Sequence, residues 1–234
     1  MDVVTGAAGG NAGGTPELTA ALLTAAVWLL VGALAGYGIR RLTVWLCRLE
    51  QLEYGSQAWQ VWGPPIVCAA LFAIFGFRLG PTPLLLIRSL WVAVLVQVIF
   101  FDAEHRLILD RVMFPAMAVA LALSFLTPHL GFPESLLTGL GAGLLFLLLA
   151  LVGAFFFGAD ALGFGDVKLV AYMGLIVGIY KFAIITALFL GVVFAGVLSL
   201  LLVVTRIRSM KDAIPYGPFL AAGALVVLWQ LGAQ

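Results

Sequence analysis

Charged residues divide this chain into long apolar runs, and the lengths of those runs decide what it can fold into. An α-helix needs about 20 residues to cross a ~30 Å hydrocarbon core. Six runs free of Asp, Glu, Lys and Arg meet that requirement. They hold 22 residues between Glu17 and Arg40, 24 between Glu53 and Arg78, 22 between Arg111 and Glu134, 25 between Glu134 and Asp160, 24 between Lys181 and Arg206, and 22 after Asp212. Two further runs are short, with 13 residues at 89–101 and 12 at 169–180. At 1.5 Å per residue these reach only about 18–20 Å. To complete a crossing, the first must draw Arg88, Asp102 or both to membrane depth, and the second Asp166 and Lys168. Ionisable groups at that depth are costly and face a protein interior or a wet cavity. The two short runs are therefore where function is expected.

Composition supports the same reading. Of 234 residues, 64% are hydrophobic and 10% charged, against roughly 25% charged in a soluble domain. The expected fold is an all-α polytopic membrane protein of about eight transmembrane helices. With eight crossings both termini lie on one side. Arg40, Arg41, Arg48, Arg106, Arg111, Lys168, Arg206, Arg208 and Lys211 then share one face, against Arg78, Arg88 and Lys181 on the other. The basic side is cytoplasmic by the positive-inside rule, so both termini are expected outside, and Asp102, Asp160 and Asp166 at the cytoplasmic ends of their helices. Residues 1–17 read as a disordered extracytoplasmic tail rather than a signal peptide. Residues 18–234 read as one transmembrane domain, with a short cytoplasmic segment at 40–63. Leu42, Trp45, Leu46 and Leu49, interleaved with Arg41 and Arg48, make a candidate interfacial helix there. No basic cluster exceeds Arg40-Arg41, so a nucleic-acid partner is unsupported. Cys47 and Cys68 are separated by an expected helix and read as small apolar residues rather than a disulfide. Gly32, Gly36, Gly139, Gly141, Gly143, Gly174 and Gly178 carry spacings that allow close helix contact.

The segment from Gly158 to Leu169 (GADALGFGDVKL) is the most unusual in the chain. Gly163 and Gly165 disfavour a helix start before residue 166 and let another backbone approach. Asp166 then opens a helix, where the helix dipole favours its charge and burial opposes it. A carboxyl held between those pulls suits acid–base work. The bland alternative is a simple N-cap. Asp102, heading Asp102 to Asp110 (DAEHRLILD), closes the other short run on the same face. Two neighbouring carboxylates tend to share a proton, one acting as base towards water and the other donating to a peptide carbonyl. Other charged residues get bland readings: Lys168 as a head-group anchor, Asp160, Glu104 and His105 as solvated loop residues with substrate contact as the alternative, His129 as an outside-loop residue, and Arg88 as a snorkelling side chain.

Three segments carry a family resemblance. Gly163 to Leu169 (GFGDVKL) is similar to the GxGD motif of type IV prepilin peptidases. Asp102 to Asp110 resembles the family's other aspartate segment, and Ile214 to Leu220 (IPYGPFL) its Pro-aromatic-Gly-Pro segment. The resemblance implies an aspartic endopeptidase with Asp102 and Asp166 as the catalytic pair. It implies a multi-pass protein of the inner (cytoplasmic) membrane that removes the leader of prepilin-like or pseudopilin substrates on the cytoplasmic side, after a glycine. No metal and no prosthetic group is implied for cleavage. Gly163 and Gly165, with Lys168 beside them, would line the approach of an extended substrate. Leu109 stands where the family usually has proline. Residues 40–63 hold one cysteine and no CxxC pair, so N-methylation with S-adenosylmethionine is left open. Oligomeric state is also open. A proton- or cation-coupled transporter using Asp102 and Asp166, a divalent-metal site built on Asp102, Glu104, His105 and Asp166, and a non-enzymatic membrane scaffold are the alternatives from other classes.

Overall fold

The computed structural model describes residues 14–128, 130–157, 163–205 and 215–232. Among them all extended regular structure is helical: α1 (Gly14–Leu49), α2 (Ala58–Leu79), α3 (Pro83–His105), α4 (Asp110–Leu123), α5 (Phe132–Phe157), α6 (Phe164–Val177), α7 (Ala183–Val204) and α8 (Gly217–Gln230). Each apolar run of the sequence supplies one helix. By length and composition α1, α2, α3, α5 and α7 can cross a membrane.

The helix ends follow local chemistry. Thr82 caps α3, its hydroxyl accepting the Leu85 N–H at 3.3 Å, with Pro83 at the first helical position, where a missing N–H costs nothing. Gly80 ends α2 at φ +61 and Gly178 ends α6 at φ +71, a left-handed backbone that side chains resist. The first short run becomes a full helix because α3 takes in both Arg88 and Asp102. The second yields α6, of 14 residues, which takes in Asp166 and Lys168.

Two runs long enough to span form short helices instead. α4 holds 14 residues and passes at Ser124 into a 3-10 turn, and α8 also holds 14. Absence of charge marks where a helix can lie in lipid and says nothing of where Ser, Pro and Gly stop it. Residues 42–49, the candidate interfacial helix, are the last turns of α1 rather than a separate element. Of the expected tail, 14–17 begin α1. Residues 1–13, His129, Asp160, Arg206, Arg208, Lys211 and Ile214 lie outside the described residues.

The core is built on α3, α6 and α8, with Trp91 edge-on to Tyr172 at 6.3 Å. Glycine lets neighbours close in. A Cβ on Gly32 or Gly36 would fall 2.5 Å or less from α2 carbonyl oxygens, and one on Gly174 2.7 Å from Thr138 O of α5. Gly139 and Gly143 face Leu175 and Ala171, whereas Gly141 faces open space. α4, α6 and α8 run antiparallel to α3. Their far ends, at Thr127, Val177 and Leu231, gather with Leu84 and Arg88 around one small cavity, and the near ends meet at Asp102.

Candidate active site

Three chain segments converge at the C-terminal end of α3. Asp102 sits in the last turn, 6% exposed. Arg106 then turns left-handed (φ 55) and stops the helix, sending Ile108 back across the site. From α8, Gly217 abuts the Asp102 carboxylate. A Cβ on Gly217 would lie 2.7 Å from Asp102 Oδ2 and 3.2 Å from Ile108 Cδ1, so only glycine fits there. From α6, Gly163 serves as N-cap and its carbonyl accepts the Asp166 N–H at 3.0 Å. Asp166 is thus the third residue of a helix that starts at Phe164, earlier than its glycines suggested, and it is not the cap. A Cβ on Gly165 would stand 3.0 Å from that of Ile108.

Ile108 links the two aspartate-bearing segments: it lies against Gly165, the residue before Asp166, and against Gly217, which abuts Asp102. Tyr216, immediately before Gly217, is half-buried. Sixty-four residues of chain separate two aspartates whose segments the fold brings together.

Several residues take places other than those expected. Glu104 and His105 are not solvated. Their side chains are 7% and 10% exposed, and they pin α3 to α1 and the segment after it. Glu104 accepts the Gly55 N–H and stands 3.8 Å from Arg40 Nη1. His105 Nε2 lies 3.2 Å from Cys47 Sγ, so Cys47 carries a polar contact as well as apolar packing. Cys47 and Cys68 are both free. Lys168 turns from the dyad to bond Asp110 of α4, with its amine 5.7 Å from the Phe114 ring centre. Arg88 does not snorkel: it is 3% exposed, and its Nε and Nη1 have no hydrogen-bond partner. It stands 14 residues before Asp102, about 21 Å along α3. Among the described residues no three His, Cys, Asp or Glu side chains group as metal ligands.

Gly217, Tyr216 and Ile108 fall in the two segments that the sequence marks by resemblance, Ile214 to Leu220 and Asp102 to Asp110, without a role of their own there. The Pro-Tyr-Gly-Pro stretch was the available signal, since a glycine between two prolines marks a tight backbone position.

The fold and the site define a polytopic helical membrane protein with paired aspartates at one end of its central helices. Residues 89–200 match the model of the type IV leader peptidase family. The chain is similar to the prepilin leader peptidase/N-methyltransferase of Bacillus subtilis (strain 168), 29% identical over 161 residues, 69% of this chain and 62% of that protein. The proteins of the same description from Pseudomonas putida (29% over 168 residues, 69% and 56%) and Dichelobacter nodosus (30% over 175 residues, 72% and 57%) are comparably similar. The chain spans roughly three fifths of the length of these relatives. No solved structure matches it.

Proposed function

We propose that the chain is an intramembrane aspartic endopeptidase that removes the leader of type IV prepilin-like or pseudopilin substrates, with Asp102 and Asp166 as the catalytic pair. The observation that carries this reading is that the end of α3 bearing Asp102 and the first turn of α6 bearing Asp166 meet around Ile108, against which Gly165 and Gly217 both pack, with Gly217 also against the Asp102 carboxylate. One carboxylate takes a proton from water as the oxygen attacks the peptide carbonyl. The other, protonated, donates to the carbonyl oxygen, and the collapse of the tetrahedral intermediate passes a proton to the leaving amine. Gly217, without a side chain, leaves the room that the Asp102 carboxylate occupies.

Helix register supports a site inside the apolar slab. Gly139 of α5 faces Leu175 and Gly143 faces Ala171, which puts residue 150 level with the start of α6. α5 then continues uncharged to Phe157, about 10 Å further. Gly191 of α7 faces Leu220, and Gly223 of α8 faces Ala187, which puts residue 194 level with the start of α8. α7 continues to Val204, about 15 Å beyond. The dyad thus lies below the apolar ends of both neighbours. The short α4, α6 and α8 complete eight crossings by meeting water in this depression, with both termini outside and the dyad towards the cytoplasmic face of the inner membrane. Cleavage needs no metal or prosthetic group. Whether this chain also methylates the new terminus with S-adenosylmethionine is decided by the same assay.

The test is reconstitution of the purified chain in liposomes with a prepilin-like substrate, read by mass spectrometry with and without a chelator. Leader removal that is insensitive to the chelator supports the reading, and a further gain of one methyl group when S-adenosylmethionine is supplied would add the second activity. An intact substrate overturns the reading.

A further inference from the structure

Arg106 turns left-handed at φ 55 and ends α3, and Leu109 is already extended as the N-cap of α4 (φ -77, ψ 132). The short link between them reverses the chain and lays the Ile108 side chain across the starts of α6 and α8. A Cβ on Gly165 of α6 would have Ile108 Cβ, Cγ1 and Cδ1 as its three nearest atoms, at 3.0, 3.3 and 3.5 Å, and one on Gly217 of α8 would lie 3.2 Å from Ile108 Cδ1. One face of the side chain thus meets the helix that carries Asp166, and its tip meets the glycine against the Asp102 carboxylate. Both neighbours are glycines, so neither brings a side chain of its own that could take over the spacing. The distance between the two helix starts is set there by the size of one residue. Isoleucine suits that task, because two heavy atoms on Cβ restrict χ1 and make the side chain a stiff block. It is half-buried at the edge of the main core rather than within it.

We propose that Ile108 is a positioning residue that holds the two aspartates at their working separation. The inference rests on the peptidase reading. Two carboxyls that share a proton titrate in two steps, and the repulsion between them sets how far apart those steps lie. Repulsion weakens with distance. The spacer therefore sets the pH range over which one group is protonated and the other ionised, and that is the range in which the pair works. Cutting Ile108 back lets the starts of α6 and α8 close on the vacated space. The carboxyls then approach, the two steps move further apart, and the groups leave the geometry that serves the scissile bond.

The test follows leader removal from a prepilin-like substrate across pH in wild type, Ile108→Val, Ile108→Ala and Ile108→Leu, with thermal unfolding recorded for each. Met113→Ala, at a fully buried position in α4, is the packing control. Ile108→Ala should lower kcat at least about tenfold, since a misplacement of about 1 Å costs about 100-fold. Its KM should change little, and its bell of kcat against pH should be broader than that of wild type. Ile108→Val removes Cδ1, the atom against Gly217, and should show the same changes to a smaller degree. Ile108→Leu keeps the volume and should recover most of the rate. Met113→Ala should unfold at a lower temperature yet keep the wild-type kcat and bell. Wild-type kcat and bell width in folded Ile108→Ala would overturn the inference. So would a rise in KM alone, which marks a substrate contact, or a loss of kcat under an unchanged or narrower bell, which marks packing. If Ile108→Ala fails to fold, Ile108→Val decides: lower kcat with a broader bell supports the spacer, and wild-type behaviour overturns it. If wild type itself cleaves nothing, the peptidase reading fails and the inference goes with it. Cleavage by wild type with an indifferent Ile108 overturns the inference alone.

Discussion

The central helices and the peripheral ones answer to different solvents. α6 has 14 residues, and Leu169, Val170 and Met173 are fully buried. α7 has 22, and Leu200, Leu201 and Val204 are 64%, 54% and 70% exposed. Beyond the level of the dyad the end of α5 is similar, with Phe155 at 83%. An apolar side chain facing lipid costs nothing, so hydrocarbon thickness sets the length of the outer helices. The inner helices are surrounded by protein and end where the carboxyls and their glycines must meet. The candidate site lies where the long core helix α3 meets the starts of the short helices α6 and α8.

The comparison can be broken at several points. Leu169→Ala, in the packed core, should cost about 2–5 kcal/mol of stability, whereas Leu201→Ala on the lipid-facing end of α7 should stay within about 0.5 kcal/mol. Unfolding in the same mild detergent measures both, and equal losses would remove the distinction. Gly217→Ala puts a methyl 2.7 Å from Asp102 Oδ2, and displacement of a reacting group by about 1 Å should lower kcat about 100-fold while KM changes little. Glu104→Leu strands the Gly55 N–H and Arg40, which should cost about 1–3 kcal/mol. Glu104→Gln, which keeps an acceptor, should cost much less. The smallest effect belongs to Lys168→Met: its pair with Asp110 is 28% and 54% exposed, so stability should change by no more than about 1 kcal/mol and cleavage should persist.

Much of this arrangement was legible before any coordinates. Charge spacing located all eight helices because an uncharged run is a direct record of the lipid solvent. The shortness of 89–101 and 169–180 pointed to Asp102 and Asp166, since a helix that must borrow charged residues advertises them. The reading went wrong where local signals overrode the run. Ser124 gives its hydroxyl to Leu121 O, and Thr127 gives its own to Leu123 O, so the chain leaves α4 long before Glu134. Pro215 and Pro218 flank a start of α8 delayed to Gly217. Glu104 and His105 looked solvated because their partners Arg40, Cys47 and Gly55 lie roughly 50–65 residues away in the chain. Ile108 gave no signal of its own: one aliphatic residue among many becomes informative only when the fold sets two glycine backbones against it.

The most direct test of the paired-carboxyl site is cleavage of a co-expressed prepilin-like substrate by wild type, Asp102→Asn and Asp166→Asn, with folding of each checked by thermal unfolding. Leader removal by wild type and no product from either variant, all three equally well folded, is the expected result. Cleavage at the wild-type rate by either asparagine variant would contradict the site.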